Sequence, residues 1–201
     1  MLLTDLPNDA IALVLVRLEY TRRIARTAPT CRAVRDAARP AQQALRRICR
    51  EQFVALVHSL EAEPGDHFRL RGELDAATHA AVMIVINERT QDQHAAAEDA
   101  VSIVDDAFRA APPERHLTLM KCIDALLNVN RYNNSDSRVK FVFPMLERLA
   151  RIIDIAHAAA TEQTAPKLKV VAANWWRFAT AWTPDVRDAL LRFLEPNGLP
   201  T

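Results

Sequence analysis

"DLPNDAIALVLVRL", residues 5–18, decides how the rest of the chain is read. Pro7 stands where a helix can begin, since the first turn needs no backbone N–H, and Asn8 and Asp9 suit the positive end of the helix dipole. On a helical wheel Ile11, Val14, Leu15 and Leu18 share one face, while Leu13 and Val16 lie roughly opposite. A surface helix in a small unit needs only one apolar stripe. A two-sided helix within a segment of roughly 40 residues has more apolar surface than that segment can cover alone. The second face must be covered by the remainder of the chain or by another protein.

The tracts that follow are also helical. Residues 22–28 form a short helix, and a longer one begins near Pro29 and is expected to stop at Pro40. A third tract, 41–60, ends before "EAEPGDHFRLRGELD" (61–75), which holds two of the three glycines and a Pro-Gly turn. The boundary between an N-terminal unit, 1–60, and a helical domain, 76–201, is expected there. "AAVMIVI" (80–86) reads equally as buried helix or strand. Helices are then predicted over 93–111, 113–129, 138–160, 166–182 and 184–194, with a polar loop at 128–138. Pro144 either kinks the third of these or marks its true start. The fold class is all-α, arranged as a bundle or as an irregular array of helical pairs.

"LPNDAIALVLVRL" (6–18), "RRIARTA" (22–28) and "TCRAV" (30–34) together resemble the F-box family. The resemblance covers about 35 of the 201 residues. Leu6, Pro7 and Asp9 match its opening, Val14, Leu15 and Leu18 its apolar run, then Ile24, and Thr30, Cys31 and Val34 its closing segment. Val34 stands where the family usually has an aromatic residue, and Pro29 where it has an apolar one. The resemblance implies a three-helix unit that docks onto the Skp-type adaptor of a cullin–RING ubiquitin ligase. Leu6, Pro7, Ile11, Val14, Leu15, Leu18, Ile24, Cys31 and Val34 would then be the adaptor-binding residues. The remaining helices would hold a target protein, and the chain would not itself be an enzyme.

Charge offers a competing reading. Residues 1–50 carry ten Arg against four acidic residues, a local excess of +6, whereas the whole chain is +1. Those arginines point in many directions around their helices, so a solvated face is expected in place of a nucleic-acid footprint. A stand-alone helical scaffold without a ubiquitin link is the main alternative.

Chemistry-bearing motifs are sparse. The six histidines include no H-E-x-x-H and no pair at i, i+4, so no metal is expected. No Gly-rich loop is present to cradle a phosphate, and no cofactor is expected. Asp105 and Asp106 are predicted on an exposed helix face. Three cysteines without close spacing suit a reducing compartment, cytoplasmic or nuclear, and no apolar run approaches the roughly 20 residues of a membrane span. In "NWWRFATAW" (174–182), Trp175, Phe178 and Trp182 share a face and belong to the core, which leaves Trp176 as a candidate for target recognition.

Overall fold

One apolar stripe builds the longest helix of the protein. Val34, Ala37, Ala38, Ala41, Leu45, Cys49, Phe53 and Val57 recur at three or four residues, and all are buried. In a computed structural model, which describes residues 7–17, 24, 32–61, 67–88, 90–129, 141–175 and 184–194, this stripe lies on a single helix, Arg32–Ser59. Pro40 does not end it. Proline at that place lacks the donor for an i→i−4 hydrogen bond and crowds the preceding turn, yet burial of the stripe on both sides outweighs that local cost.

The described elements are α1 (Asn8–Val16), α2 (Arg32–Ser59), α3 (His67–Ile86), a 3-10 turn at Thr90–Asp92, α4 (Gln93–Ala110), α5 (Pro113–Leu127), α6 (Val142–Ala159), α7 (Ala165–Trp175) and α8 (Pro184–Leu194). No strand occurs among the described residues, and the fold is all-α. The ambiguous segment 80–86 is the C-terminal part of α3, which buries Ala77, Ala80, Ala81, Val82, Ile84 and Val85. Pro113 and Glu114 open α5, as the positive end of a helix favours. Pro144 sits in the first turn of α6, where its missing N–H costs nothing.

Helices α4 and α5 occupy the middle. α4 packs on α2, α3, α5 and α6, and α5 on α3, α4, α6 and α7. Their small and branched residues allow close approach on more than one side: Ala96, Ala97, Ala100, Val101, Val104 and Phe108 on α4, with Leu119, Met120, Cys122 and Ile123 on α5. One cluster of buried residues runs from Ile11 on α1 to Trp175 at the end of α7. It crosses the expected break at 61–75, most of which is helix, since α3 already begins at His67.

Polar groups tie the outer helices to the centre. Arg115, on the first turn of α5, donates through Nε to the Leu60 carbonyl at 2.8 Å and through Nη2 to those of Val57 and His58 at 3.2 Å. These are carbonyls that the end of α2 leaves without helical partners. Arg50 of α2 forms a two-pronged pair with Asp99 of α4, at 2.8 and 3.1 Å. Asp105, expected on an exposed face, is buried on α4 because that face meets α6. Its carboxylate accepts from Arg151 and Arg109 and lies 3.8 Å from Nε of Arg148, so three guanidiniums surround it. The neighbouring Asp106 is exposed and paired with Arg109.

Two exposed backbone positions inside helices give a stability test. Pro40 lies in the interior of α2, and Gly72 lies in α3 with no atom within 4 Å of where a Cβ would stand. Gly72→Ala is expected to stabilise by about 0.5–1 kcal/mol and Pro40→Ala by up to about 3 kcal/mol. Thermal melts check both; a lower melting temperature for Pro40→Ala would mean that the proline stabilises α2 as it stands in this fold.

Candidate functional site

The two faces of α1 have different fates. Ile11 and Leu15 enter the core with Ile24 and Val34. Leu13, 70% exposed, and the half-buried Val16 open onto a groove of about 690 Å³ between α1, α2 and α3. The groove exists because α2 carries apolar residues beside its core stripe, Ile48 and Leu56, each one position before a stripe residue, with Leu45 of the stripe itself at the floor. Met83 and Ala80 of α3 form the opposite wall. Ile48 remains 42% exposed and Val14, beside Leu13, 47%. Arg17, Gln52 and His79 supply the polar rim, and among the described residues no acidic side chain lines the groove. An apolar floor with a polar rim is the anatomy of a protein–protein contact.

Cys49 lines this groove, within 3.6 Å of the Asn87 side-chain nitrogen. Burial pushes its thiol above the ordinary range, and burial pushes that of Cys122 up to about 12. Both are held as neutral thiols at neutral pH, which suits packing and not nucleophilic attack.

Of the residues expected to bind an adaptor, Ile11, Leu15, Ile24 and Val34 come together inside this chain's own core, and Pro7 and Val14 are exposed. The buried four can act on a partner only by holding α1 in place. Leu6, Leu18, Cys31 and Trp176 lie outside the described residues, as do Phe178 and Trp182; Trp175 is buried as expected. Leu13 and Val16 were legible as a second face, whereas Ile48 and Leu56 drew no separate reading and Met83 lay in the segment that reads equally as helix or strand. The signal for Ile48 and Leu56 was their place beside the core stripe of α2, obscured by ending one helix at Pro40 and starting another at 41.

The basic excess of the N-terminal quarter is partly neutralised. Arg46 pairs with Glu88 at 3.0 Å, Arg47 with Glu51 at 3.8 Å and Arg50 with Asp99. Among the described residues no three His, Cys, Asp or Glu side chains come together as a metal would require, and no helix is long and apolar enough to cross a membrane.

His116 is a separate titratable feature. Its ring is buried and stacks on Phe108 with centroids 4.5 Å apart, and Nδ1 has no hydrogen-bond partner. Burial lowers its pKa below 6.5, offset in part by the backbone of Ala111 and the charge of Glu114. A depressed histidine pKa in the folded state means that its stability contribution is complete above about pH 6.5 and is lost as pH falls through the folded value. Unfolding free energy is therefore expected to decline on acidification below pH 6.5. His116→Phe, which keeps the stack, should flatten that part of a denaturant-midpoint-versus-pH curve; an unchanged slope would place the titration elsewhere.

No family model, curated protein or solved structure matches the chain.

Proposed function

We propose that this chain is an F-box-type subunit of a Skp–cullin ubiquitin ligase. It docks a Skp-type adaptor through α1 and the groove beside it, and holds a target protein on the helices that follow. The reading is carried by one observation: α1 keeps apolar surface on Leu13 and Val14 after its other face is buried, next to the exposed Ile48. Covering what remains exposed of these three side chains contributes roughly 1–2 kcal/mol each, before association costs are subtracted. Together with the Leu-Pro opening and the order of the motif that follows, this supports docking to a partner that covers the second face. The chain is then non-enzymatic and its partners are proteins.

A second reading is favoured by the burial of Ile11, Leu15, Ile24 and Val34 in the common core. In that reading the N-terminal helices complete a self-contained scaffold, and the groove serves a protein unconnected with ubiquitin.

Co-purification with a recombinant Skp-type adaptor at about 50 and 200 mM salt separates these readings from nucleic-acid binding. An apolar interface changes little over that range, whereas a protein held by about six to ten phosphate contacts loses roughly 10³–10⁵ in affinity. Retention of the adaptor at both salts, abolished by Ile48→Asp, is the expected result. Failure of the wild-type chain to retain it would leave the scaffold reading. Tight duplex binding at the higher salt would overturn both.

A further inference from the structure

"AAVMIVI" (80–86) makes the last two turns of α3 apolar on every side, and α3 packs on α2, α4 and α5. Ala77, Ala80, Ala81, Val82, Ile84 and Val85 are all buried. A helix that is apolar all round has no stripe to choose which side faces a given neighbour. Contacts between methyl groups are non-directional, so they do little to oppose turning or sliding of α3 against α2. A hydrogen bond is short and directional. Asn87, the residue that follows α3, is fully buried and supplies one. Its Nδ2 donates to the Met83 carbonyl at 2.9 Å and to Cys49 Sγ on α2 at 3.6 Å. Arg46, one turn before Cys49, donates through Nε to the Asn87 carbonyl at 3.2 Å and pairs with Glu88 at 3.0 Å. Together these contacts fasten α2 to one point of α3.

That point adjoins the groove beside α1. Cys49 and Met83, the two partners of the Asn87 amide, both line it, as does Ile48. A one-residue change of register moves a helix about 1.5 Å along its axis and turns it by about 100°. Such a change in α3 would take Met83 off the groove wall and the amide away from Cys49. Buried polar groups that set the register of packed helices, with no gain in stability over an apolar residue, have precedent in coiled coils. We propose, on the reading that the groove docks a partner, that Asn87 is a positioning residue. It fixes the register of α3 against α2 and so brings Met83 and Ile48 into the groove together. An apolar residue of similar shape at 87 leaves the described acceptors served. The Met83 carbonyl still accepts the backbone N–H of residue 87, at 3.3 Å, and a thiol sulfur is only a weak acceptor. Stability is therefore expected to survive the replacement while the register does not.

The test is Asn87→Leu in the full chain, read by thermal melting, by affinity for a recombinant Skp-type adaptor and by the methyl signals of Ile48 and Met83. The melt is expected to stay close to that of the wild type. Affinity is expected to fall about tenfold, as when the competent register holds about one-tenth of the molecules, and the methyl signals to split or broaden. A residue that only stabilised the fold would move the melt and leave a single set of signals. In Asn87→Ser the hydroxyl can bond to the Met83 carbonyl but is too short to reach Cys49. This variant should show the same loss of affinity and the same methyl signals, and it decides the outcome if the leucine variant does not fold. A wild-type chain that fails to hold the adaptor refutes the docking reading alone, since the methyl signals of the free chain still report the register. A single, wild-type-like set of methyl signals in the folded variants would overturn the proposal. So would unchanged affinity beside an adaptor-binding wild type, or loss of the cooperative melt in both variants.

Discussion

A chain carrying Leu15→Asp is expected to lose its cooperative melt, while Leu13→Asp melts within a few degrees of wild type and no longer holds the proposed adaptor. The two residues sit two positions apart on α1 with opposite exposure: Leu15 is 4% exposed, Leu13 70%. Aspartate at 15 forfeits roughly 1.5–3 kcal/mol of apolar burial. It also places a carboxylate among Ile11, Ile24 and Val34, a cost of several kcal/mol more unless the group neutralises. Against a total stability of about 5–15 kcal/mol, that removes most of the margin. Aspartate at 13 faces solvent, so its effect on folding should stay within about ±0.5 kcal/mol. On binding, the loss of a central apolar anchor should cost about 2 kcal/mol or more, roughly 30-fold. Circular-dichroism melts and adaptor affinity read the two effects separately. A normal melt for Leu15→Asp, or undiminished binding by Leu13→Asp, would refute the division of α1 into a core face and a docking face.

Removing residues 1–61 is the second large perturbation, and the fragment 67–201 is expected to melt without a sharp transition. Leu45, Phe53, Val57 and Leu60 are all buried in the cluster shared with α3 and α4. At roughly 1.5–3 kcal/mol apiece their loss alone rivals the stability of a typical domain. Arg115 would also lose the three carbonyls it caps. Melting monitored at 222 nm, with a dye for exposed apolar surface, checks the expectation. A cooperative melt without dye binding would show instead that the second half sustains its own core, as the Pro-Gly turn in 61–75 suggests.

The helical class and the core faces of α4, α5, α6 and α7 were legible in the sequence, because apolar spacing states directly which side of a helix is buried. Ala97, Val101, Val104 and Phe108 illustrate this, as do Leu119 with Ile123 and Leu168 with Trp175. Proline was the main source of error. A rule about local hydrogen bonding ended a helix at Pro40, although the i, i+4 row from Ala37 to Val57 runs unbroken through it. Asp105 was placed on the outside for a similar reason: a carboxylate reads as exposed until the arginines that meet it arrive from some 45 residues further along the chain. The groove beside α1 was half legible. Its α1 side followed from the two-sided helix, but its far walls depend on how α2 and α3 cross, which periodicity does not encode.

The capping of α2 by Arg115 has a consequence for synthesis on the ribosome. The capped carbonyls and the guanidinium are 55 to 58 residues apart, so the end of α2 leaves the exit tunnel well before its cap is made. At about 5–20 residues per second that interval lasts several seconds. Early in it the apolar row of α2 has α1 to lie against but neither α3 nor α4. The growing chain therefore passes through a stage in which its longest helix offers an open apolar stripe, the kind of surface that holdase chaperones engage. The N-terminal third, although made first, acquires its final packing only after α5 has emerged.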